Sequence, residues 1–474
     1  MSKKILINIT NGFSLRFICH TDILSELIKN KFKVYLLSTD IRSLKKNIKK
    51  DDNIFFEQLD SSELNKYKFE SKFYNFLELL RGLSHGGKYK TPKVILNFKY
   101  KNSKKYFIYL FIYKFFNNFF IARKILYFFQ SFYCPHQILN LINEIKPDMI
   151  LTTSLGVFSF DEYVLRASKK LNIKSICAML SWDNSTTRGY PAAYANYIFT
   201  WTDIMKKELI YFSDCKKENI FVTGIPHFDH YYNDEKNKID LKMTKKYQIN
   251  SYKKNILFIT KGPSTFQFNP NIIEIICSEI KNGNLPNCHL YVRVHPLYFK
   301  INQLGKIEFQ DGINIMKKQQ SKFVDEMTLV FPEMSSLDYN FDIKIEDKYL
   351  LKELIINSDV IINIFSTVNI EGSILNKPLI NINYDNFKPM YKWNKKHERQ
   401  SLKIDRELDH NTRIIESNCA KMVNNNKELI MSVKEYLNDS SLDQIYRKKI
   451  YNSEAGPNKG LSGKKVVEKI INLL

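Results

Sequence analysis

The sequence predicts an α/β protein made of two doubly wound, Rossmann-like domains, and three observations predict it. Short apolar runs of strand length recur along the chain, separated by amphipathic stretches of helical period. Two such alternating series exist, one on either side of a polar, charged stretch at 233–254. At 474 residues the chain is too long for one ordinary core, and 44% hydrophobic with 26% charged residues is a folded composition.

The first series opens with KKILINI (3–9), an expected helix over Thr21–Asn30 and VYLLST (34–39), a βαβ pattern. DMILTTS (148–154), the helical DEYVLRASKKL (161–171), KSICAML (174–180), YIFTW (197–201) and IFVTG (220–224) continue it. The second series runs NILFIT (255–260), the helical PNIIEIICSEI (270–280), HLYVRV (289–294), DVIINI (359–364) and PLININ (378–383). Strands this uniformly apolar are buried on both faces, as in a parallel sheet. The expected domains are 1–240 and 250–425, followed by a helical segment at 427–474.

Between the first βαβ unit and DMILTTS lies an insert, about 60–140. From Arg81 to Asn143 it contains no Asp or Glu, while Lys88, Lys90, Lys93, Lys99, Lys101, Lys104, Lys105, Lys114, Arg123 and Lys124 recur among dense aromatics. Lys114, Asn117, Asn118, Arg123 and Lys124 cut its apolar runs well below the roughly 20 residues a spanning helix needs. A basic aromatic surface of this kind suits the interface of an anionic membrane, through 81–133. A core helix pair with a solvated lysine face, or a nucleic-acid surface, fits the same composition. The net charge of +23 favours an anionic partner.

The seven cysteines are odd in number and form no CxxC, which argues against a disulfide framework and for a reducing compartment. The opening MSKKILINIT has too short an apolar core, broken at Asn8, for a secretory signal, so a cytoplasmic protein is expected.

Ligands bind beyond the carboxyl ends of parallel strands. Three clusters fall there in the second series. In SDVIINIFSTVNIEG (358–372), Ser366 and Thr367 end a strand and start a helix, whose N-terminus suits a phosphate. Ser and Thr are also ordinary N-caps, but Glu371 is off the three-residue spacing of a capping box, and its carboxylate suits a ribose diol. In YVRVHP (291–296), Arg293 and His295 could hold a phosphate, and in FITKGPST (258–265) Thr260, Lys261 and Gly262 supply a hydroxyl, a cation and flexible backbone. The spacing is not that of a Walker loop. In the first series SWDNSTTRGYP (181–191) places Asp183, Asn184 and Ser185 at the ligand edge, and TSLGVFSFDEY (153–163) adds Gly156 and Asp161. Asp183 or Asp161 could serve as a general base.

SWDN (181–184), VTGIPHFD (222–229), RVHP (293–296) and SDVIINIFSTVNIEG (358–372) together resemble the GT-B glycosyltransferases that build bacterial surface polysaccharides, such as capsule or lipopolysaccharide. They also resemble CDP-glycerol glycerophosphotransferases and UDP-N-acetylglucosamine 2-epimerases. The resemblance covers roughly 146–385. It implies two lobes facing across a cleft, the second holding a nucleotide-sugar donor through Thr260, Lys261, Gly262, Arg293, His295, Ser366, Thr367 and Glu371. The first would hold a glycan or lipid-linked acceptor, with Asp183 or Asp161 as base and the C-terminal helix crossing back to it. No cofactor and no metal ion are implied. The glycerophosphotransferases usually carry Asp where this chain has Glu371, and the epimerases lack a basic aromatic insert. The expected activity is therefore sugar transfer by a peripheral enzyme of the inner membrane face. A polyol-phosphate transferase, a sugar-nucleotide epimerase, or a non-catalytic protein binding anionic lipid or nucleic acid are the alternatives.

Overall fold

The computed structural model describes residues 2–474 except 10, 88–92, 102, 157–159, 234–245, 248, 250–251, 303, 335–342 and 392–400. Lys88, Lys90 and most of the polar stretch at 233–254 lie outside the described residues. The chain divides into two units, Met1–Asp229 with Leu408–His410 and Gly456–Leu474, and His230–Glu407 with Asn411–Ala455. The division thus falls at 229/230, and only the last of the C-terminal helices, Ser462–Leu473, belongs to the first unit. The helices Asn426–Asn438 and Gln444–Glu454 stay with the second.

The first unit holds a seven-stranded parallel sheet: β1 (Lys4–Asn8), β2 (Lys33–Ser38), β3 (Ile54–Gln58), β4 (Met149–Thr152), β5 (Ser175–Ala178), β6 (Tyr197–Thr200) and β7 (Ile220–Val222), in the order β3-β2-β1-β4-β5-β6-β7. The second unit has six parallel strands: β8 (Lys254–Ile259), β9 (Cys288–Arg293), β10 (Met327–Val330), β11 (Val360–Asn363), β12 (Leu379–Ile382) and β13 (Lys421–Val423), ordered β10-β9-β8-β11-β12-β13. Each expected strand is present. The strands β3, β10 and β13 were not anticipated. All three are sheet edges, short or only partly buried, and an edge strand lacks the continuous apolar run that marks a central one.

The strand order reverses between β1 and β4 in the first sheet and between β8 and β11 in the second. At such a switch point successive crossovers leave on opposite faces, and a crevice opens at the carboxyl ends. The cores flank the sheets. Ile256, Phe258, Ile272, Ile276, Val360 and Ile380 are among the buried side chains of the second, while Leu6, Ile138, Ile142, Ile150 and Val164 pack together in the first.

The insert forms five helices between β3 and the helix His136–Ile145: Ser61–Glu70, Lys72–Leu83, Lys93–Tyr100, Lys105–Asn118 and Phe120–Ser131. Asp60 and Ser71 cap the first two. Their inner faces are apolar cores, with Leu77, Phe116 and Leu126 in one and Leu83, Ile95 and Tyr113 in another. Outer faces are apolar as well: Phe69 is 83% exposed, Phe107 74%, Phe111 72% and Ile121 71%, and Phe128 and Phe132 stand out beside them. Lys99, Lys105, Lys114 and Lys124 are exposed on these helices, and Lys101 and Lys104 between two of them. A core pair with a purely lysine outer face is therefore not what forms. The apolar surface also extends beyond the expected 81–133, to Phe69, Phe73 and Phe76.

One basic residue of the insert has another task. Arg123 is buried, its Nε 2.8 Å and its Nη2 3.1 Å from the two Asp214 carboxylate oxygens, while Nη1 donates to the Phe116 and Asn117 carbonyls. It staples the turn between the two aromatic helices to the sheet-bearing part of the unit. Removing one partner of a buried ion pair leaves the other charge uncompensated. Arg123→Ala is therefore expected to lower stability by about 3–5 kcal/mol in urea unfolding; a loss below about 1 kcal/mol would show that the pair is not structural.

Candidate functional site

In the second unit the expected residues gather at the β8/β11 switch point. The loop after β8 turns back on itself: Thr265 donates to the Gly262 carbonyl through both backbone and hydroxyl, each at 2.9 Å. Asn269 fixes it further, accepting from the Lys261 N–H (3.0 Å) and donating to the Lys261 carbonyl (2.9 Å). Thr260 Oγ1 accepts from the His295 N–H at 2.9 Å, tying this loop to the end of β9. His295 Nδ1 accepts from the Leu297 N–H at 3.0 Å, which assigns the proton of a neutral ring to Nε2. A Cβ on Gly262 would lie 3.7 Å from His295 Cε1, so the two residues are neighbours.

Lys261 crosses the switch point. Its Nζ donates to the Phe365 carbonyl at 2.7 Å and sits 3.1 Å from Asp405 Oδ2. Phe365 has φ +40°, a left-handed conformation that a bulky residue rarely adopts. Three buried asparagines brace this corner. Asn363 and Asn381 both donate to Asn369 Oδ1, at 3.1 and 3.0 Å, and Asn381 Oδ1 accepts from the Phe365 N–H at 3.0 Å. Asn369 in turn donates to the Ser366 carbonyl at 3.1 Å. The helix Val368–Ile374 starts here, and Thr367 at its N-cap makes no side-chain capping bond. Instead Thr367 Oγ1 donates to Glu371 Oε1 at 3.0 Å, while the Tyr231 hydroxyl donates to Oε2. Burial pushes the Glu371 carboxyl above its usual range, against the pull of these two hydrogen bonds.

Arg293 adjoins this group, its carbonyl accepting from the Thr260 N–H at 3.0 Å, and its side chain carries an ion pair. It ends β9 with Nη2 at 2.6 and 2.5 Å from the two Asp347 oxygens, a buried ion pair on the β10 side of the sheet. Its Nη1 is buried with no hydrogen-bond partner, and Asp347 Oδ1 also accepts from the Glu333 N–H. The Asp347 partner was hidden because it stands 54 residues away in a helix start.

In the first unit the β1/β4 switch point carries a carboxylate. Asp161 Oδ1 accepts from Asn8 Nδ2, at the end of β1, and Oδ2 from Ser154 Oγ, just past β4, both at 2.7 Å. Burial pushes its pKa up to about 7, offset in part by the Asn8 and Ser154 hydrogen bonds and reinforced by the neighbouring Glu162. Gly156, in the loop between, has φ +86° and would place a Cβ 2.5 Å from that of Ala192, so only glycine fits.

Asp183 sits one strand over, past β5, and its environment is opposite. Burial raises its pKa, but Arg188, His410 and the hydroxyls of Ser181 and Thr187 outweigh that and hold it at about 2. A carboxylate that weakly basic takes a proton poorly at neutral pH, whereas one near 7 is matched to the task. Its loop is anchored from outside the sheet: Arg81 Nη1 donates to the Arg188 and Tyr190 carbonyls, and Tyr190 donates to Asp214 at 2.7 Å. Ser185 donates to Glu208 at 2.6 Å.

Several contributors were not singled out from the sequence. Asn8 and Asn363 end apolar strands and Asn381 lies inside one, and a lone Asn in a buried run was the available signal. Tyr231 stands two residues past VTGIPHFD, but nothing local marks it as a partner of Glu371. Among the described residues no group of three or more His, Cys, Asp or Glu side chains could hold a metal ion, and no helix is long and apolar enough to cross a membrane.

Comparison with known proteins agrees with this architecture. Residues 87–226 match the family model of monogalactosyldiacylglycerol (MGDG) synthase, a stretch that includes Asp161 and Asp183 but well under half of the chain. UDP-GlcNAc 2-epimerase from Neisseria meningitidis bound to UDP-GlcNAc is 14% identical, with 99% of this chain and 100% of that one covered and a TM-score of 0.56. The corresponding epimerase of Methanocaldococcus jannaschii is 13% identical, with 100% of both chains covered and a TM-score of 0.54. The wall teichoic acid polymerase TagF is 13% identical, with 99% and 88% covered and a TM-score of 0.50. No curated protein matches the chain. At these identities the likeness establishes the fold, which is the two-domain GT-B type.

The raised pKa of Asp161 has a measurable sign. A carboxyl whose folded pKa lies above its unfolded value of about 4 binds its proton more tightly when folded. The stability it contributes is complete below about pH 4 and is lost as pH rises through 7. Relative to Asp161→Asn, the wild type should therefore lose on the order of 1.4 kcal/mol per pH unit across that window. Urea titrations at pH 4 to 8 read this directly, and a pH-independent difference would contradict the assignment.

Proposed function

We propose that the protein is a glycosyltransferase moving a sugar from a nucleotide-sugar donor to a glycan or lipid-linked acceptor at the cytoplasmic face of a membrane. The observation that carries it is the matched placement of polar groups at the two switch points. The first sheet has a carboxylate there, and the second has a cation with hydroxyls and a helix N-terminus.

In this reading the donor's phosphates lie against Lys261, Gly262, His295 and the backbone at Ser366 and Thr367, and Glu371 faces the ribose. Asp161 takes the proton of the attacking acceptor hydroxyl as the new glycosidic bond forms and the bond to the donor phosphate breaks. The electron pair leaves on the nucleotide, where positive groups stabilise it; such electrostatic stabilisation is typically worth about 3 kcal/mol per donor. No metal ion is assigned a role.

The membrane face is the insert. Transferring an exposed Phe or Ile into an apolar phase contributes about 1.5–3 kcal/mol, and each lysine near anionic headgroups about 1 kcal/mol. A few of each suffice for reversible attachment. The MGDG synthase match over 87–226 supports a lipid-borne acceptor, and such a face has no evident use to an epimerase of soluble nucleotide sugars.

Two experiments test this. With nucleotide-sugars and vesicles carrying a lipid extract, release of nucleoside diphosphate should require the acceptor, and Asp161→Asn should lower kcat by about 10²-fold or more, with Asp183→Asn the milder change. Turnover of the nucleotide-sugar without acceptor would instead indicate an epimerase. In co-sedimentation with anionic vesicles, Phe111→Asp with Phe128→Asp should abolish binding; equal sedimentation of the wild type and the double variant would contradict the assigned face.

A further inference from the structure

In the turn after β5, nearly every polar side chain has a partner. Asp183 accepts from Ser181 and Thr187, Thr186 donates to the Asp183 carbonyl at 3.3 Å, and Ser185 donates to Glu208. Asn184 is the exception. Its side chain is 5% exposed, and neither Oδ1 nor Nδ2 has a hydrogen-bond partner. A second unpartnered group stands on the neighbouring strand end: the Thr153 hydroxyl, just past β4, is buried and bonded to nothing.

These two belong to one region of the first unit. The Leu180 N–H donates to the Thr153 carbonyl at 3.1 Å, so Thr153 is braced against the chain that leads into Asn184. The residue after Thr153 is Ser154, which donates to Asp161. Trp182, whose ring meets that of His410 at 4.8 Å, lies between Leu180 and Asn184 in sequence. Buried polar groups without a protein partner cost stability, and two of them at neighbouring strand ends, in the unit that carries Asp161, mark a place where a polar ligand completes the bonding.

We infer that Asn184 and Thr153 form a sugar-hydroxyl subsite that orients the acceptor toward Asp161. A carboxamide presents one acceptor and one donor side by side, which matches two neighbouring hydroxyls of a pyranose, one donating and one accepting. The Thr153 hydroxyl bonds a third. That the sugar is the acceptor's rests on the transferase reading above; that a sugar binds here does not. Asn184 is a positioning residue, acting on the reaction through the sugar that it holds.

The test uses the full chain and simple methyl glycosides of glucose, galactose, mannose and N-acetylglucosamine, at millimolar concentration, observed by saturation-transfer NMR. At least one glycoside should receive saturation from the wild type, and Asn184→Leu should reduce that signal tenfold or more. The same substitution removes two unsatisfied buried atoms, so its urea midpoint should equal or exceed that of the wild type, a combination that a merely structural asparagine would not give. Thr153→Val, nearly isosteric, should weaken the signal without loss of folding and decides the matter if Asn184→Leu does not fold. Unchanged signal in both variants would mean that the two groups hold buried water only, and no signal from any glycoside with the wild type would equally overturn the subsite. Nucleotide-induced thermal shifts report separately on the second unit. Glycoside binding without any nucleotide shift would leave the subsite standing and remove the transferase reading, whereas transfer with an unaltered acceptor KM in both variants would do the reverse.

Discussion

A parallel sheet covered on both faces cannot tolerate unpaired polar side chains along its strands, and this constraint organises the molecule. Strands such as Val360–Asn363 and Met149–Thr152 are wholly buried, so polar chemistry is pushed to their carboxyl ends. There the order of the strands decides which ends diverge enough to admit a ligand. The strand order reverses once in each sheet, and both switch points are occupied by bonded polar groups: Asn8, Ser154 and Asp161 in the first unit, Lys261 and the Phe365 carbonyl in the second.

Holding such groups requires a second layer of bonding. The asparagines 363, 369 and 381 satisfy one another and the backbone of the left-handed Phe365 corner, so the helix that begins at Val368 enters at a fixed position. Local strain of this type persists only where the surroundings over-determine it. The two candidate bases show the same principle through charge. Asp161 is buried with two neutral donors and an acidic neighbour, Asp183 with Arg188 and His410 nearby, and their pKa values separate to about 7 and about 2. Environment, rather than residue type, separates the two carboxyls.

Much of this was legible in the sequence. Central strands announce themselves as short apolar runs, and the loops that follow them place the candidate residues at the carboxyl edges of the sheets. Edge strands β3, β10 and β13 were not legible, because a strand paired on one side carries a weaker apolar signal. Long-range pairing was equally hidden. Arg293 reads as a strand-end cation until Asp347 is placed beside it, and Arg123 reads as one of a basic series until Asp214 claims it. In both cases burial of a charge demanded a partner that local spacing could not name. The insert was legible in kind but not in extent, since the exposed aromatics of Phe69, Phe73 and Phe76 lie in helices that also contain acidic residues.

Calorimetric titration of the full chain with UDP, CDP, CMP, GDP and ADP tests the proposed nucleotide site at the β8/β11 edge. Saturable binding of one of them is expected, weakened at least tenfold in Lys261→Gln, because the cation that bridges the switch point would no longer meet the phosphates. No binding of any nucleotide at millimolar concentration, or binding that the substitution leaves unchanged, would contradict it.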